Sequence, residues 1–188
     1  MKNDRMNLEP ESLQDLQVCL YDWQTHNFGE QDNELTLLGI CEESGELCHA
    51  QLKREQNIRG TAKEHDQEML DAIGDVMIYT MNFLSGNGKK IPSFTARTDV
   101  EKASEENQKV VRRAILTVYR LAAKIVEKPD DEGRSRQLVH QLVYLCALKG
   151  WDLERVIRVT WGVVGQRDFQ EYPDTGMPPV EPAVQAAG

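Results

Sequence analysis

No apolar run in this chain approaches the ~20 residues needed to cross a bilayer, so the sequence predicts no membrane span. Cysteine is scarce. The four present, Cys19, Cys41, Cys48 and Cys146, include no Cys-x-x-Cys pair. That spacing argues against a zinc ribbon or a disulfide framework and for buried thiols in a reducing cytosol. Basic residues are outnumbered 22 to 31, giving a net charge of −9 and a pI near 5.0. A general nucleic-acid binder needs the opposite balance, because it must neutralise phosphates, so no nucleic-acid partner is expected. The opening residues Met1–Arg5 lack the apolar core of a signal peptide. A soluble, cytoplasmic protein is the expectation. No glycine-rich phosphate loop is present, nor a Ser/His/Asp or Cys/His set for covalent catalysis.

What the chain does have is concentrated between Leu37 and Leu84. Two helix-like segments there each carry acidic residues on one side. A helix turns about 100° per residue, so faces follow from spacing. In the first segment Glu42, Glu43 and Glu46 share a face with Gly39, Ala50 and Lys53, while Leu37, Ile40, Cys41, Leu47, Cys48 and Leu52 lie opposite. In the second, Glu64, Glu68, Asp71 and Asp75 share a face with Tyr79 and Asn82, backed by Ile73, Val76, Met77, Phe83 and Leu84. A lone acidic row is usually a solvated surface. Two rows with clean apolar backs, joined by one connector, predict that the rows meet in a cleft. Carboxylates crowded together repel one another and resist desolvation. A hard divalent cation relieves both, and Mg²⁺ favours oxygen ligands and phosphate-bearing substrates.

The pattern Glu42-Glu43-Ser44-Gly45-Glu46, then Glu68-Met69-Leu70-Asp71, resembles the signature of the MazG-like, all-α nucleoside triphosphate pyrophosphohydrolases. The likeness extends to Trp23 and Asn27-Phe28-Gly29 upstream, and to Trp161, Arg167-Asp168-Phe169 and Tyr172-Pro173 downstream. One position departs. Where many members carry a Glu three residues before the Asp matched by Asp75, this chain has Ala72. Asp71 or Glu68, on the same face, is the substitute.

The resemblance implies metal-assisted cleavage of a nucleoside triphosphate between its α- and β-phosphates, giving the monophosphate and pyrophosphate. It implies Mg²⁺, or Mn²⁺, held by residues from the set Glu43, Glu46, Glu68, Asp71 and Asp75. Glu42 or Glu46 would assist an attacking water. Lys53 is a candidate phosphate contact, Asn82 a contact to base or sugar, and Trp23 either a core anchor or the wall of a base pocket. His26 reads as a surface or capping histidine. The alternative to an enzyme is an inactive nucleotide-binding module, or a partner-binding module with an acidic groove.

Taken in order, the chain predicts an all-α bundle of five or six helices. A loose leader covers residues 1–8, and Pro10 opens a helix that ends near Gly29. A second helix spans about Asn33–Arg54. A polar connector from Gln56 to Lys63 reads as a mobile loop, and a third helix stops at Ser85-Gly86-Asn87-Gly88. Further helices are expected from about Val100 to Ile125, from Gln137 to Leu148, and from Asp152 to near Phe169. Residues 1–172 form one domain, with an active half at 9–88 and a helical completion at 100–170; residues 173–188 form a flexible or draped tail. Val76-Met77-Ile78-Tyr79 is echoed by Gln141-Leu142-Val143-Tyr144, with His140 in place of Asp75. This is either a degenerate second repeat or the chance likeness of two amphipathic helices. As a repeat, it would let a monomer build what a homodimer otherwise supplies.

Overall fold

The computed structural model describes residues 7–104 and 107–179. Among these there are six α-helices and no strand. They are α1 (Leu13–Phe28), α2 (Asn33–Gln56), α3 (Ala62–Gly86), α4 (Gln108–Glu127), α5 (Glu132–Lys149) and α6 (Leu153–Val164). None of these six helices is long and apolar enough to cross a membrane. The leader call for residues 1–6 and the tail call for residues 180–188 lie outside the described residues.

Local capping sets most boundaries. Ser12 and Asp15 close a capping box on α1, and Thr61 and Glu64 close one on α3. Asp32, Asp131 and Asp152 accept backbone N–H bonds at the starts of α2, α5 and α6. Because Ser12 supplies the cap, α1 begins after Pro10 rather than at it. The connector after α2 is shorter than predicted, spanning only Asn57–Thr61. Asn57 takes the left-handed conformation at φ 52°, Ile58 N donates back to Lys53 O at 3.3 Å, and His65 Nε2 lies 3.0 Å from Ile58 O. These bonds make a tied turn of what the composition suggested was a mobile loop.

Two further boundaries move. The fourth helix starts at Gln108, not Val100. Ahead of it Ala103 N donates to Leu148 O at 2.8 Å, which docks the segment on the end of α5 instead of continuing a helix. The last helix stops at Val164. Beyond it Asp168 N donates to Gly176 O at 2.7 Å and Gly176 N to Tyr172 O at 2.7 Å, so the chain folds back on itself over residues 168–176. At the other end Trp161 Nε1 donates to Asn7 O at 3.1 Å, so Asn7 is docked, not loose.

Helices α2 and α3 pack along their length and, joined by a five-residue turn, run antiparallel. Helix α4 covers α2, α5 packs on α4, and α1 and α6 both lie on α3. Helix α3 is therefore central: Met69, Ala72, Ile73, Val76, Met77, Met81 and Phe83 are all at most 1% exposed. Ile40 and Leu47 of α2 join this core, whereas Leu52, expected on the apolar side, is half exposed. Two glycines permit the closest approaches. A Cβ on Gly74 would overlap the Thr160 side chain of α6, and one on Gly39 would overlap the Tyr79 ring.

Candidate functional site

The two predicted acidic faces do meet, along one side of the α2–α3 pair. Glu42, Glu46, Glu68 and Asp71 line an open groove of about 610 Å³ together with Gly45 and His49. Glu43 and Asp75 lie deeper and belong to an adjoining hollow of about 310 Å³. That hollow is walled by Trp23, Phe28, Tyr79, Asn82, Arg167 and Phe169. The aromatic wall is continuous: the Trp23 and Phe28 rings meet edge-on at 5.7 Å, and Phe28 meets Phe169 at 5.3 Å.

The electrostatics single out the deeper pair. Burial, with the neighbouring charges of Asp75, Glu42 and Glu46, pushes the Glu43 carboxyl up to about 8. Burial pushes Asp75 up to about 6; Arg167 opposes the rise, while Asp71, Glu46 and Glu42 add to it. Tyr79 is raised as well, first by burial and then by Glu43. Carboxylates from α2 and α3 thus feel each other's charge, and a shared positive counter-charge would relieve both. The donor set suits a hard divalent cation in its chemistry, since every donor is a carboxylate oxygen. In arrangement it is not closed. Among the described residues no group of three or more His, Cys, Asp or Glu side chains is disposed to hold a metal ion.

Individual candidates separate by their neighbours. Glu68 Oε2 lies 2.7 Å from Nδ1 of buried His65, whose Nε2 reaches Ile58 O, so Glu68 is committed to holding the turn. Asp71 Oδ1 accepts from exposed Gln67 at 2.9 Å. Lys53 is half-buried one turn beyond Ala50 and lines neither space. Trp23 is a core residue, 7% exposed, that also borders the hollow, and its Nε1 donates to Arg167 O at 2.8 Å. Asn82 is buried in the same wall, and its Oδ1 has no hydrogen-bond partner. His26 faces Asp168 at 3.3 Å, a surface pair.

Sequence reasoning missed Arg167 and Phe169 as site residues. They arrive on the segment after α6, which α1 holds. Phe169 N donates to Asn27 Oδ1 at 2.6 Å, and Gln170 Nε2 donates to Asn27 O at 2.7 Å. No local spacing announces a contact between chain ends; the available signal was that Asn27-Phe28-Gly29 and Arg167-Asp168-Phe169 both belong to the resemblance. No family model, no curated protein and no solved structure matches this chain.

Proposed function

We propose that the chain is a metal-dependent nucleoside triphosphate pyrophosphohydrolase of MazG-like type, cleaving between the α- and β-phosphates. The observation that carries this reading is the pairing of Glu43 and Asp75 across α2 and α3. Both are raised by burial and by each other's neighbourhood, and both lie between an acidic groove and an aromatic hollow. Burying carboxylates together is costly unless the charge they attract is part of the function.

In this scheme Glu43, Asp75, Glu46 and Asp71 would hold a divalent cation, Mg²⁺ or Mn²⁺, which would offset charge on the phosphates. Glu42, exposed on the groove, takes the proton of the attacking water. Arg167 makes no side-chain hydrogen bond or ion pair among the described residues and faces the same hollow, where it balances a phosphate oxygen. Trp23 has spent its indole N–H on Arg167 O, so it offers the base a surface and not a donor. The unpartnered Oδ1 of Asn82 accepts from the edge of the base.

Incubation with a panel of nucleoside triphosphates and Mg²⁺, with pyrophosphate and orthophosphate measured separately, tests the reading. Pyrophosphate is the expected product. Orthophosphate alone, or no release with any triphosphate, would remove it. The unclosed ligand set favours one second reading, a nucleotide- or partner-binding module with an acidic groove. Such a module would bind its ligand equally well with and without divalent metal.

A further inference from the structure

A second hollow meets the acidic groove at Asp71. It measures about 380 Å³ and is lined by Leu70, Trp151, Arg155, Val156 and Val159 among others. Asp71 lines both this hollow and the groove, so the two spaces adjoin at that carboxylate. Lys149 Nζ sits 5.0 Å from the Trp151 ring centroid, a cation–π contact that fixes the indole. Helix α6 runs along both hollows, with Val156, Val159 and Thr160 in one and Val164 in the other. Between them it touches α3 where Thr160 meets Gly74.

The two hollows are built alike. Each has an indole wall, Trp23 or Trp151, with aliphatic surface beside it. Each has one arginine, Arg167 or Arg155, whose side chain makes no hydrogen bond or ion pair among the described residues. Leu70 in one and Ile78 in the other are eight positions apart on α3, roughly 12 Å at the helical rise. The carboxylates Asp71 and Asp75 lie between. One ring-bearing group with a phosphate tail fills one hollow and leaves the other, with its unused arginine, open.

Resting on the pyrophosphohydrolase reading, we propose that the substrate class is a dinucleotide. Its two ring-bearing ends occupy the two hollows, and its polyphosphate bridge crosses the carboxylates. Cleavage adds water across one phosphoanhydride bond. The water oxygen bonds to phosphorus, the bridging oxygen leaves with the bonding electrons, and the water proton passes through Glu42 to the leaving oxygen or to solvent. Two nucleotides result, with no other co-reactant. Arg155 pairs with the bridge or with the second end, and Trp151 provides the surface for the second ring.

The test compares kcat/KM for diadenosine tetraphosphate and for ATP, each with Mg²⁺, in the wild type, Val159→Trp and Arg155→Ala. Val159 is 62% exposed, so a larger side chain there fills the hollow without entering the core. The wild type is expected to prefer the dinucleotide. Each variant should lower the dinucleotide-to-ATP ratio by about tenfold or more, the range that loss of one set of pocket contacts produces. A methylene-bridged dinucleotide should also raise the melting temperature of the wild type more than that of either variant. A ratio unchanged in both variants, or a wild type that cleaves ATP and spares the dinucleotide, overturns the two-ended substrate and leaves the triphosphate reading standing. A wild type that cleaves neither overturns both.

Discussion

Helices α2–α3 and α4–α5 are two antiparallel pairs, and a short stretch of α3 is echoed in α5, yet only one pair is left open. In α3, Asp75 is half-buried and precedes Tyr79, which packs on Gly39 beside a hollow. At the echoing positions of α5, His140 is exposed and Tyr144 lies under the Arg97 guanidinium, 5.6 Å from its carbon. The loop carrying Phe94 and Arg97 closes over α5 and leaves a cavity of only about 270 Å³. A titratable group at the surface, as at His140, costs the fold little. Carboxylates drawn inward, as at Glu43 and Asp75, cost stability that packing elsewhere must offset. The open pair is where the fold carries a charge arrangement it does not need for its own sake.

The largest expected effect breaks that difference outright. Glu43→Gln and Asp75→Asn keep size and remove charge, and each should lower pyrophosphate release by about a hundredfold or more. Loss of a mere outer partner of a metal ligand already costs about 10–100-fold. His140→Gln, the matching change in the second pair, should leave the rate within about twofold. Steady-state kinetics beside a far-ultraviolet spectrum would separate lost chemistry from lost fold. Full activity in Glu43→Gln would show that the buried pair is not the centre.

Next in size is the response to metal. A ligand that binds only the folded state at a hundredfold excess over Kd stabilises it by about 2.7 kcal/mol. At this chain length, 1 kcal/mol moves the melting temperature by about 2–4 °C. A rise of several degrees with millimolar Mg²⁺ is expected, and less with NaCl at equal ionic strength, since screening supplies no inner-sphere ligand. Equal shifts from the two salts would make the open pair as inert as the closed one.

A smaller contrast lies within α3. Asp71→Asn should reduce activity more than Glu68→Gln does. Asp71 lines the groove with only a surface glutamine on it, whereas Glu68 is held by His65 at 2.7 Å. Glu68→Gln should instead lower stability, because buried His65 loses its charged partner. If Glu68→Gln is the more damaging to catalysis, the strict Glu-x-x-Asp set is the working one.

How much of this was legible from residues alone follows from the range of each interaction. The all-α class, the acidic faces of α2 and α3, and the cap at Asp152 are local patterns, and local spacing reveals them. The start of α4 was misplaced because Ala103 bonds to Leu148 on a distant element. Lys53 shares a helical face with Glu46 yet lines neither space, since a face has length as well as direction. Arg167 and Phe169 reach the site through Trp23, Asn27 and Phe28 on α1, contacts between chain ends that no periodicity encodes.

The smallest effect concerns pH without metal, and its sign follows from the raised carboxyls. Glu43 titrates near 8 in the fold against an ordinary 4.5, and Asp75 near 6 against 3.8. A raised acid binds its proton more tightly when folded, so its stabilising contribution is full at low pH and is lost as pH rises through the folded value. In EDTA the melting temperature should therefore fall from about pH 4 to about pH 8, between the ordinary and the folded values. Carboxyls held low, such as Asp99 beside Arg97 and Asp168, which accepts from the Glu171 backbone N–H and faces His26, act oppositely. Their stabilisation is lost only as pH drops below the usual carboxylate range, so they do not contribute in this window. Glu43→Gln should flatten much of the slope, because Glu43 is the carboxyl raised across the whole window; His65, raised by its bond to Glu68, adds a fall of the same sign at the upper end that the variant keeps, and His140→Gln should leave the slope intact. A slope equally steep in Glu43→Gln would mean the buried pair is ionised without penalty, and the open and closed helix pairs would then differ in shape alone.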